Sequence, residues 1–484
     1  MHIIVRLFSE ITIKSAPVRK RFIKQLRNNL RDLLRPVDPS IRVTRDWEKL
    51  DVMAEGDDPQ LIQKINQVLA TTPGIAHFSL VHQYPLGDQH DVFEKTMVHW
   101  KEALTEKTFC VRVKRTGSHD FSSTDLERYV GGGLNQHTEA AGVRLKNPDV
   151  TVQLEVKDDQ LYVVEARRQG LGGFPIGTQD SVLSLISGGF DSTVSSYLTI
   201  KRGLRTHYCF FNLGGREHEL GVKEVAFYLW NKFGASHKVR FVTVPFEEVV
   251  GEILKNVKNS HMGVVLKRMM LRAAEQVAEQ MDIQALVTGE SVAQVSSQTL
   301  TNLSVIDKVT DTLVLRPLIT MDKNDIIDIS RKIGTEEFAA AMPEYCGVIS
   351  KKPTTGAKMA DVLEQEANFD FSVLERAVEE RRLQTIDQIM ADTEQSSVDV
   401  EILAELPEAA IVVDIRHPDE VDQSPLKMKD GQEVVCIPFY SLSSKAASLK
   451  EGGPYYLYCD KGIMSRLHAS HLADDGYQVG VYRP

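Results

Sequence analysis

Residues 182–193 read Val-Leu-Ser-Leu-Ile-Ser-Gly-Gly-Phe-Asp-Ser-Thr, and the rest of the chain is organised around them. Val182 to Ile186 is a short apolar run of the kind that forms a buried strand. Gly188-Gly189 breaks it, and Asp191-Ser192-Thr193 caps a helix continuing from Val194 to Lys201. A strand, a glycine turn and a new helix N-terminus together make an anion site. The glycines admit the backbone, while free amides and the helix dipole point at one place. The lysine of the GxxxxGK[ST] phosphate cradle is missing, which excludes the ordinary nucleoside-triphosphatase loop. A carboxylate beside phosphates repels them unless a cation lies between, so Asp191 in this loop implies Mg²⁺.

The bulk numbers frame that loop. At 484 residues the chain is too long for one core, and about two to four domains are expected. Hydrophobic content of 42% and charged content of 26% are those of a soluble globular protein. No apolar run approaches the roughly 18 residues of a membrane span. Met1-His2-Ile3-Ile4-Val5-Arg6 begins directly as a strand, without the pattern of a signal peptide. Cys110, Cys209, Cys346, Cys436 and Cys459 are widely spread and form neither a disulfide framework nor a zinc pattern. A reducing, cytoplasmic home follows, in which any cysteine that matters does so as a thiol.

The net charge of −10 hides an asymmetry. Residues 1–50 carry 12 Lys/Arg against 5 Asp/Glu, whereas residues 361–425 carry 18 Asp/Glu against 4 Lys/Arg. An acidic protein with a basic first segment can still bind a polyanion locally.

Taken in order, His2 to Phe8 alternates as a strand. Ser15-Ala16-Pro17 then opens a basic helix to about Leu34, bearing Arg19, Lys20, Arg21, Lys24, Arg27, Arg31 and Arg35. Residues 41–55 read as a hairpin, 59–71 as a helix and 75–84 as a strand, a β-α-β-β-α-β order of ferredoxin-like type. A helix at about 91–106 leads to a strand, Phe109 to Gly117, whose alternation puts Arg112 and Lys114 on one face. Ser118 to Glu127 starts another helix, and 150–167 is a hairpin. Arg168 to Gly177, rich in glycine, reads as a linker or substrate-facing loop. Strands at 182–186, 206–212, 238–244 and 285–289 alternate with helices near 192–202, 219–233, 246–257 and 264–281. That is a doubly wound parallel sheet, with its ligand at the carboxyl ends of the strands.

Two further stretches aim at that end. Leu286 to Ser291 is a strand ending in Gly289, followed by Gln294 and Ser296-Ser297-Gln298-Thr299. Met321-Asp322-Lys323-Asn324-Asp325 caps a helix with a lysine near its start, where a cation can neutralise charge on a leaving pyrophosphate. Residues 361–400 read as an acidic helix pair and a linker around 393–397. Ile411 to Glu420 is then a strand and turn, and Tyr455 to Arg466 a strand, a loop and a helix start. Cys459 falls at that strand's end, ringed by loop amides with Lys461 and Arg466 nearby, a setting that holds a thiolate or persulfide.

Several of these motifs carry resemblances. Ser-Gly-Gly-Phe-Asp-Ser resembles the pyrophosphate loop of ATP pyrophosphatases, which cut ATP between the α and β phosphates. The Arg112/Lys114 strand and the Phe-Ser-Ser helix start resemble a THUMP domain, an RNA-binding module. Asp414-x-Arg416-x-x-x-Glu420 followed by the Cys459 loop resembles a rhodanese domain, which carries sulfur as a cysteine persulfide. In this order, over essentially the whole chain, they resemble the tRNA sulfurtransferase family in its long form. The implied architecture is multidomain α/β and α+β. It has a ferredoxin-like domain over 1–60 (extending to about 75), a THUMP domain over 61–167, an ATP pyrophosphatase domain over 175–395 and a rhodanese-like domain over 404–484.

The resemblance implies conversion of uridine 8 of tRNA to 4-thiouridine, with ATP, Mg²⁺ and sulfur from a cysteine desulfurase. A second implied role is sulfur supply to a small carrier protein for thiamine thiazole synthesis. Position by position it implies ATP binding by Leu185, Ile186, Ser187, Gly188, Gly189, Asp191, Ser192, Lys267, Gly289 and Gln298. Asp191 and Lys323 match activating residues, with Mg²⁺ held through Asp191. RNA would be bound by Arg112, Lys114, Lys20 and Lys24. Cys459 would carry the persulfide and Cys346 would resolve it, leaving a Cys346–Cys459 disulfide that awaits a reductant. Whether the outer sulfur attacks directly or leaves first as hydrosulfide stays open. Two other classes compete: an ATP-dependent ligase acting on a small carboxylate, and a non-catalytic RNA-binding protein. The ligase leaves the basic front and Cys459 idle, and the binding protein has no use for Asp191.

Overall fold

The computed structural model describes residues 1–45, 49–56, 58–165, 167–213, 215–342, 350, 352–389, 400–407, 410–416, 418–426, 428, 432–438, 442, 445, 454–459, 465, 468–469, 472–473 and 476–484. They fall into two compact units: 1–179 with 200–204 and 233–237, and the remainder.

The first unit opens with β1 (His2–Leu7), the single turn α1 (Ser9–Thr12) and α2 (Ala16–Leu34). In α2, Phe22, Ile23, Leu26, Leu30 and Leu34 recur at helical spacing and are buried, which turns Lys20, Arg21 and Lys24 outward. β2 (Arg42–Arg45), β3 (Lys49–Met53), α3 (Pro59–Thr71) and β4 (Ile75–Pro85) complete the ferredoxin-like order. Ile65 and Leu69 of α3 lie in the same core as Ile3, Val5 and Leu26, so that core runs past residue 60.

The chain continues through α4 (Gln89–Trp100), β5 (Thr108–Thr116), α5 (Ser123–His137), β6 (Gly142–Val143), β7 (Val150–Lys157) and β8 (Gln160–Val164). A capping box starts α5: Ser122 Oγ accepts from the Asp125 amide at 3.1 Å, and Asp125 Oδ2 accepts from the Ser122 amide at 3.0 Å. One sheet runs through the whole unit, in the order β2-β3-β1-β4-β8-β7-β5-β6. β4 is the shared member, antiparallel to β1 on one side and to β8 on the other.

The stretch expected to be a linker, Arg168 to Gly177, departs from that reading. Its first half is a strand, β9 (Arg168–Gly172), antiparallel to β4. The glycines serve close approach rather than looseness. A Cβ on Gly170 would stand 2.4 Å from the Ile75 carbonyl oxygen, and Gly172 has a φ of 72°.

The second unit begins with β10 (Ser181–Leu185), α6 (Phe190–Lys201), β11 (Arg205–Asn212), α7 (Gly215–Leu229), β12 (Arg240–Pro245), α8 (Glu247–Asn256) and α9 (Met262–Gln280). Next come β13 (Ala285–Val287), α10 (Leu300–Asp307), β14 (Leu313–Leu315), α11 (Lys323–Ile333), α12 (Glu336–Ala341), α13 (Met359–Glu366), α14 (Ser372–Glu379) and β15 (Arg382–Thr385). The strands order as β14-β13-β10-β11-β12-β15. All neighbours are parallel except β15, which runs antiparallel to β12 at the edge. The helix pair expected within 361–400 is therefore present but is followed by an edge strand. The linker expected around 393–397 lies outside the described residues.

A third sheet follows: β16 (Ile402–Leu403), β17 (Ile411–Asp414), the short α15 (Pro418–Gln423), β18 (Val434–Cys436), β19 (Tyr455–Tyr458) and β20 (Val479–Tyr482). Its order is β16-β20-β19-β17-β18, with every pairing parallel. Among the described residues, no helix is long and apolar enough to cross a membrane.

Candidate active site at the strand ends

β10 and β13 are parallel neighbours, and the turns that leave them meet at the sheet's carboxyl edge. α6 starts at Phe190, so Asp191 and Ser192 sit in its first turn rather than before it. The first amides of a helix have no partner inside the helix, and here they face the turn that a phosphate would enter. Gly188 has a φ of 83°, and the Ser187 amide donates to Ser192 Oγ at 3.1 Å. Ser192 Oγ donates in turn to the Gly189 carbonyl at 3.2 Å, which closes the loop on itself.

The Gly289 requirement is steric. A Cβ there would lie 2.5 Å from the Asp191 carbonyl carbon and 2.7 Å from the Ser192 amide nitrogen, both backbone atoms that cannot swing aside. Asp191 itself is held from both sides. Lys323 Nζ donates to Oδ1 at 2.8 Å, and Gln294 Nε2 donates to Oδ2 at 2.7 Å. Lys323 is the first residue of α11, so the helix that Asp322 precedes delivers its ammonium to the loop.

Lys267 extends from α9 to Glu290 Oε1 at 3.1 Å. Glu290 is buried and also accepts from Arg316 Nε at 2.8 Å and Thr288 Oγ1 at 3.1 Å. Burial pushes the Glu290 carboxyl up, but Lys267 and Arg316 outweigh it and hold the group below its ordinary value. Arg316 NH2 completes the chain on Asp307 at 2.5 Å. Gln298 is buried, and its Oε1 has no partner among the described residues, an acceptor that a ligand N–H could satisfy. At the end of β10, Leu185 is half-buried and Ile186 buried, with the Ile186 amide donating to the Cys209 carbonyl at 2.9 Å.

Of the residues expected from sequence, the loop 187–192, Gly289 and Lys323 converge, and Lys267 and Gln298 belong to turns and a helix of the same unit. Sequence reasoning placed Gln294 in a stretch aimed at this end without giving it a role, and assigned none to Glu290 or Arg316. A charged residue three positions after the apolar strand Leu286-Val287, behind Thr288-Gly289, was the one signal pointing to Glu290. His218 was also missed: it stands 3.3 Å from the Ser187 carbonyl, and burial lowers its pKa more than that bond raises it.

Cys459 follows β19, and its Sγ accepts from the Ser465 amide at 3.4 Å, with Ser465 Oγ also at 3.4 Å. Cys346, Lys461 and Arg466 lie outside the described residues. Cys110 and Cys209 are buried, and burial pushes the Cys209 thiol up to about 12. Cys436 ends β18 and is exposed, because an edge strand covers only one of its sides.

In the first unit, Arg112 and Lys114 are both exposed on β5, with Val113 buried between them. Arg112 is braced, donating from NH2 to the Leu145 carbonyl at 3.2 Å and lying 3.6 Å from Glu127. Lys20, Arg21, Lys24 and Arg27 of α2, with Pro17 and Arg45, line a basic recess of 520 Å³.

A strand-end loop of small residues, a carboxylate in the first helical turn and a lysine from a neighbouring helix define the class. This is an ATP-pyrophosphatase-type adenylating domain, joined to a basic unit. Family models agree: a ThiI ferredoxin-like domain matches residues 2–79, a THUMP domain 89–164, and a thiamine biosynthesis protein (ThiI) model 177–371. A tRNA sulfurtransferase of Saccharophagus degradans is 61% identical over the full length of both chains, and one of Colwellia psychrerythraea is 56% identical over the same span. The chain belongs to the tRNA sulfurtransferase family. It also resembles a solved 4-thiouridine synthetase–RNA complex with bound ATP, at 26% identity and a TM-score of 0.67, over 80% of this chain and 99% of that one.

Proposed function

We propose that this chain uses ATP to activate uridine 8 of tRNA and replaces its O4 with sulfur, giving 4-thiouridine. The observation that carries the reading is the Asp191–Lys323 pair on a strand-to-helix loop in which Gly188 takes a φ of 83°. O4 of uridine is a poor leaving group. Its attack on the α phosphate of ATP expels pyrophosphate and makes O4 part of AMP, which departs readily. The amides at the start of α6 and the Lys323 ammonium are placed for the charge that develops on pyrophosphate. Leu185, Ile186, Ser187, Gly188, Gly189, Ser192, Lys267, Gly289 and Gln298 form the proposed nucleotide pocket. The unpartnered Gln298 Oε1 is suited to an adenine amino group.

The donor set also fits a hard cation: one half-buried carboxylate, Asp191, on a loop that also carries the Ser187 and Ser192 hydroxyls, 3.1 Å from each other. Asp191 would hold Mg²⁺ together with the nucleotide's phosphates, where the metal neutralises their charge.

The sulfur comes from a persulfide on Cys459, cradled by the Ser465 amide. Cys346 forms a disulfide with Cys459 as sulfur leaves, and a thiol reductant restores both. A cysteine desulfurase charges Cys459, and a small sulfur-carrier protein for thiamine thiazole is the second acceptor. We place the enzyme in the cytoplasm, in keeping with the free cysteines. Arg112, Lys114, Lys20 and Lys24 contact the tRNA backbone. The domain limits proposed are 1 to about 75, then to 167, 175–395 and 404–484.

ATP–pyrophosphate exchange with and without bulk tRNA tests the reading. Exchange that requires tRNA and survives Cys459→Ser supports it. Exchange with a small carboxylate instead of tRNA would favour a ligase.

A further inference from the structure

Gln294 lies on a loop whose shape is not explained by packing. Between Ser291 and Gln298 the side chains of Val292, Ala293 and Val295 are exposed, whereas Gln294 turns inward. Ala293 has a φ of 65°, in the left-handed region that a Cβ makes costly. Backbone bonds hold this turn. The Val292 amide donates to the Ile319 carbonyl at 3.0 Å, the Ala293 amide to the Gln298 carbonyl at 2.9 Å, and the Gln298 amide to the Val295 carbonyl at 2.9 Å. Asn302 Nδ2 donates to the Ser296 carbonyl at 2.7 Å, and Ser291 Oγ to the Met321 carbonyl at 2.9 Å. Strain that surrounding bonds over-determine, beside exposed valines, needs a reason other than core burial. Besides the buried Gln298, the turn directs Gln294 inward, where its Nε2 donates to Asp191 Oδ2 at 2.7 Å across 103 positions of chain.

We infer that Gln294 is a positioning residue of the activating site: its amide fixes the Asp191 carboxylate, and the strained turn at Ala293 serves to aim it. With Gln294 on Oδ2, the carboxylate keeps its orientation whether or not Lys323 stays on Oδ1. Lys323 is then free to follow the leaving pyrophosphate without Asp191 rotating after it. An uncharged donor suits this role. A carboxylate in its place would repel Asp191, and a second ammonium would compete with the cation for it.

The inference rests on the reading of residues 187–192 as the ATP loop. The test measures equilibrium binding of a fluorescent ATP analogue, with and without Mg²⁺, to the full-length wild type, Gln294→Ala and the isosteric Gln294→Glu. Both variants should melt as wild type does and keep its affinity for the analogue without Mg²⁺. Both should lose about tenfold of the affinity that Mg²⁺ adds, the size of one hydrogen bond to a charged group, with Gln294→Glu the worse. In tRNA-dependent exchange, kcat should fall by a similar factor while the KM for tRNA is unchanged. A wild-type Mg²⁺ increment in either variant would overturn the inference. So would losses of Mg²⁺-free affinity and thermal stability equal to the loss of the increment. A wild-type protein that binds no ATP would instead bring down the underlying reading.

Discussion

Lys323 Nζ stands 2.8 Å from Asp191 Oδ1, although 132 positions separate the two residues in the chain. The same ammonium lies 5.4 Å from the centroid of the Phe190 ring, so both the charge and the ring of the loop hold it. Lys323→Met should therefore lower pyrophosphate release by at least about 100-fold, the scale of one transition-state donor, with tRNA affinity unchanged. Rapid-quench measurement of labelled pyrophosphate checks this, and a wild-type rate would remove Lys323 from the mechanism.

Gly289→Ala tests the steric argument without altering charge. Its methyl would meet backbone atoms of Asp191 and Ser192 at 2.5–2.7 Å. The variant should fold but bind ATP at least about tenfold more weakly, because the loop must shift to admit the methyl. Calorimetric titration with ATP reads the loss directly.

His207 makes stability depend on pH. Its Nδ1 accepts from the Arg240 amide at 2.9 Å, and burial, with Arg205 and Arg240 nearby, lowers its pKa from 6.5 to about 4. The folded state therefore keeps the ring neutral while the unfolded chain takes up a proton first. The contribution is intact above pH 6.5 and is lost as pH falls towards 4, amounting to about 3 kcal/mol. Urea unfolding across that range should show the decline in wild type. His207→Asn, whose amide oxygen can accept the same bond, should show a flatter profile.

How much of this was legible in the sequence follows from where the information lies. The loop at 187–192 could be read because strand, glycine pair and helix start are consecutive. The basic face of α2 could be read because its apolar residues recur at helical spacing. β9 could not, since its glycines signal looseness locally and close approach only against Ile75. β15 could not either: Arg382-Leu-Gln-Thr has no strand pattern of its own and pairs only because β12 offers an open edge. Gln294 and Glu290 gain meaning through Asp191, Lys267 and Arg316, which the fold brings near and the sequence keeps far apart.

RNA affinity should be strongly salt-dependent and carried by the first unit. Lys20→Ala and Lys24→Ala should weaken tRNA binding and each lower the slope of log K against log salt by about 1, the signature of a lost phosphate contact. Neither should alter tRNA-independent ATP binding. Filter binding over a salt series checks both, and an unchanged slope would take the α2 recess out of the interface.

In the proposed mechanism, one turnover couples pyrophosphate-releasing activation of tRNA to sulfur held on Cys459. The direct measurement is a single turnover by enzyme carrying a ³⁵S-labelled persulfide, mixed with tRNA and α-labelled ATP. AMP, pyrophosphate and labelled 4-thiouridine should form in equal amounts, with no sulfur transfer when ATP is left out or Asp191 is changed to Ala. Labelled tRNA formed without ATP, or ADP and phosphate in place of AMP and pyrophosphate, would contradict it.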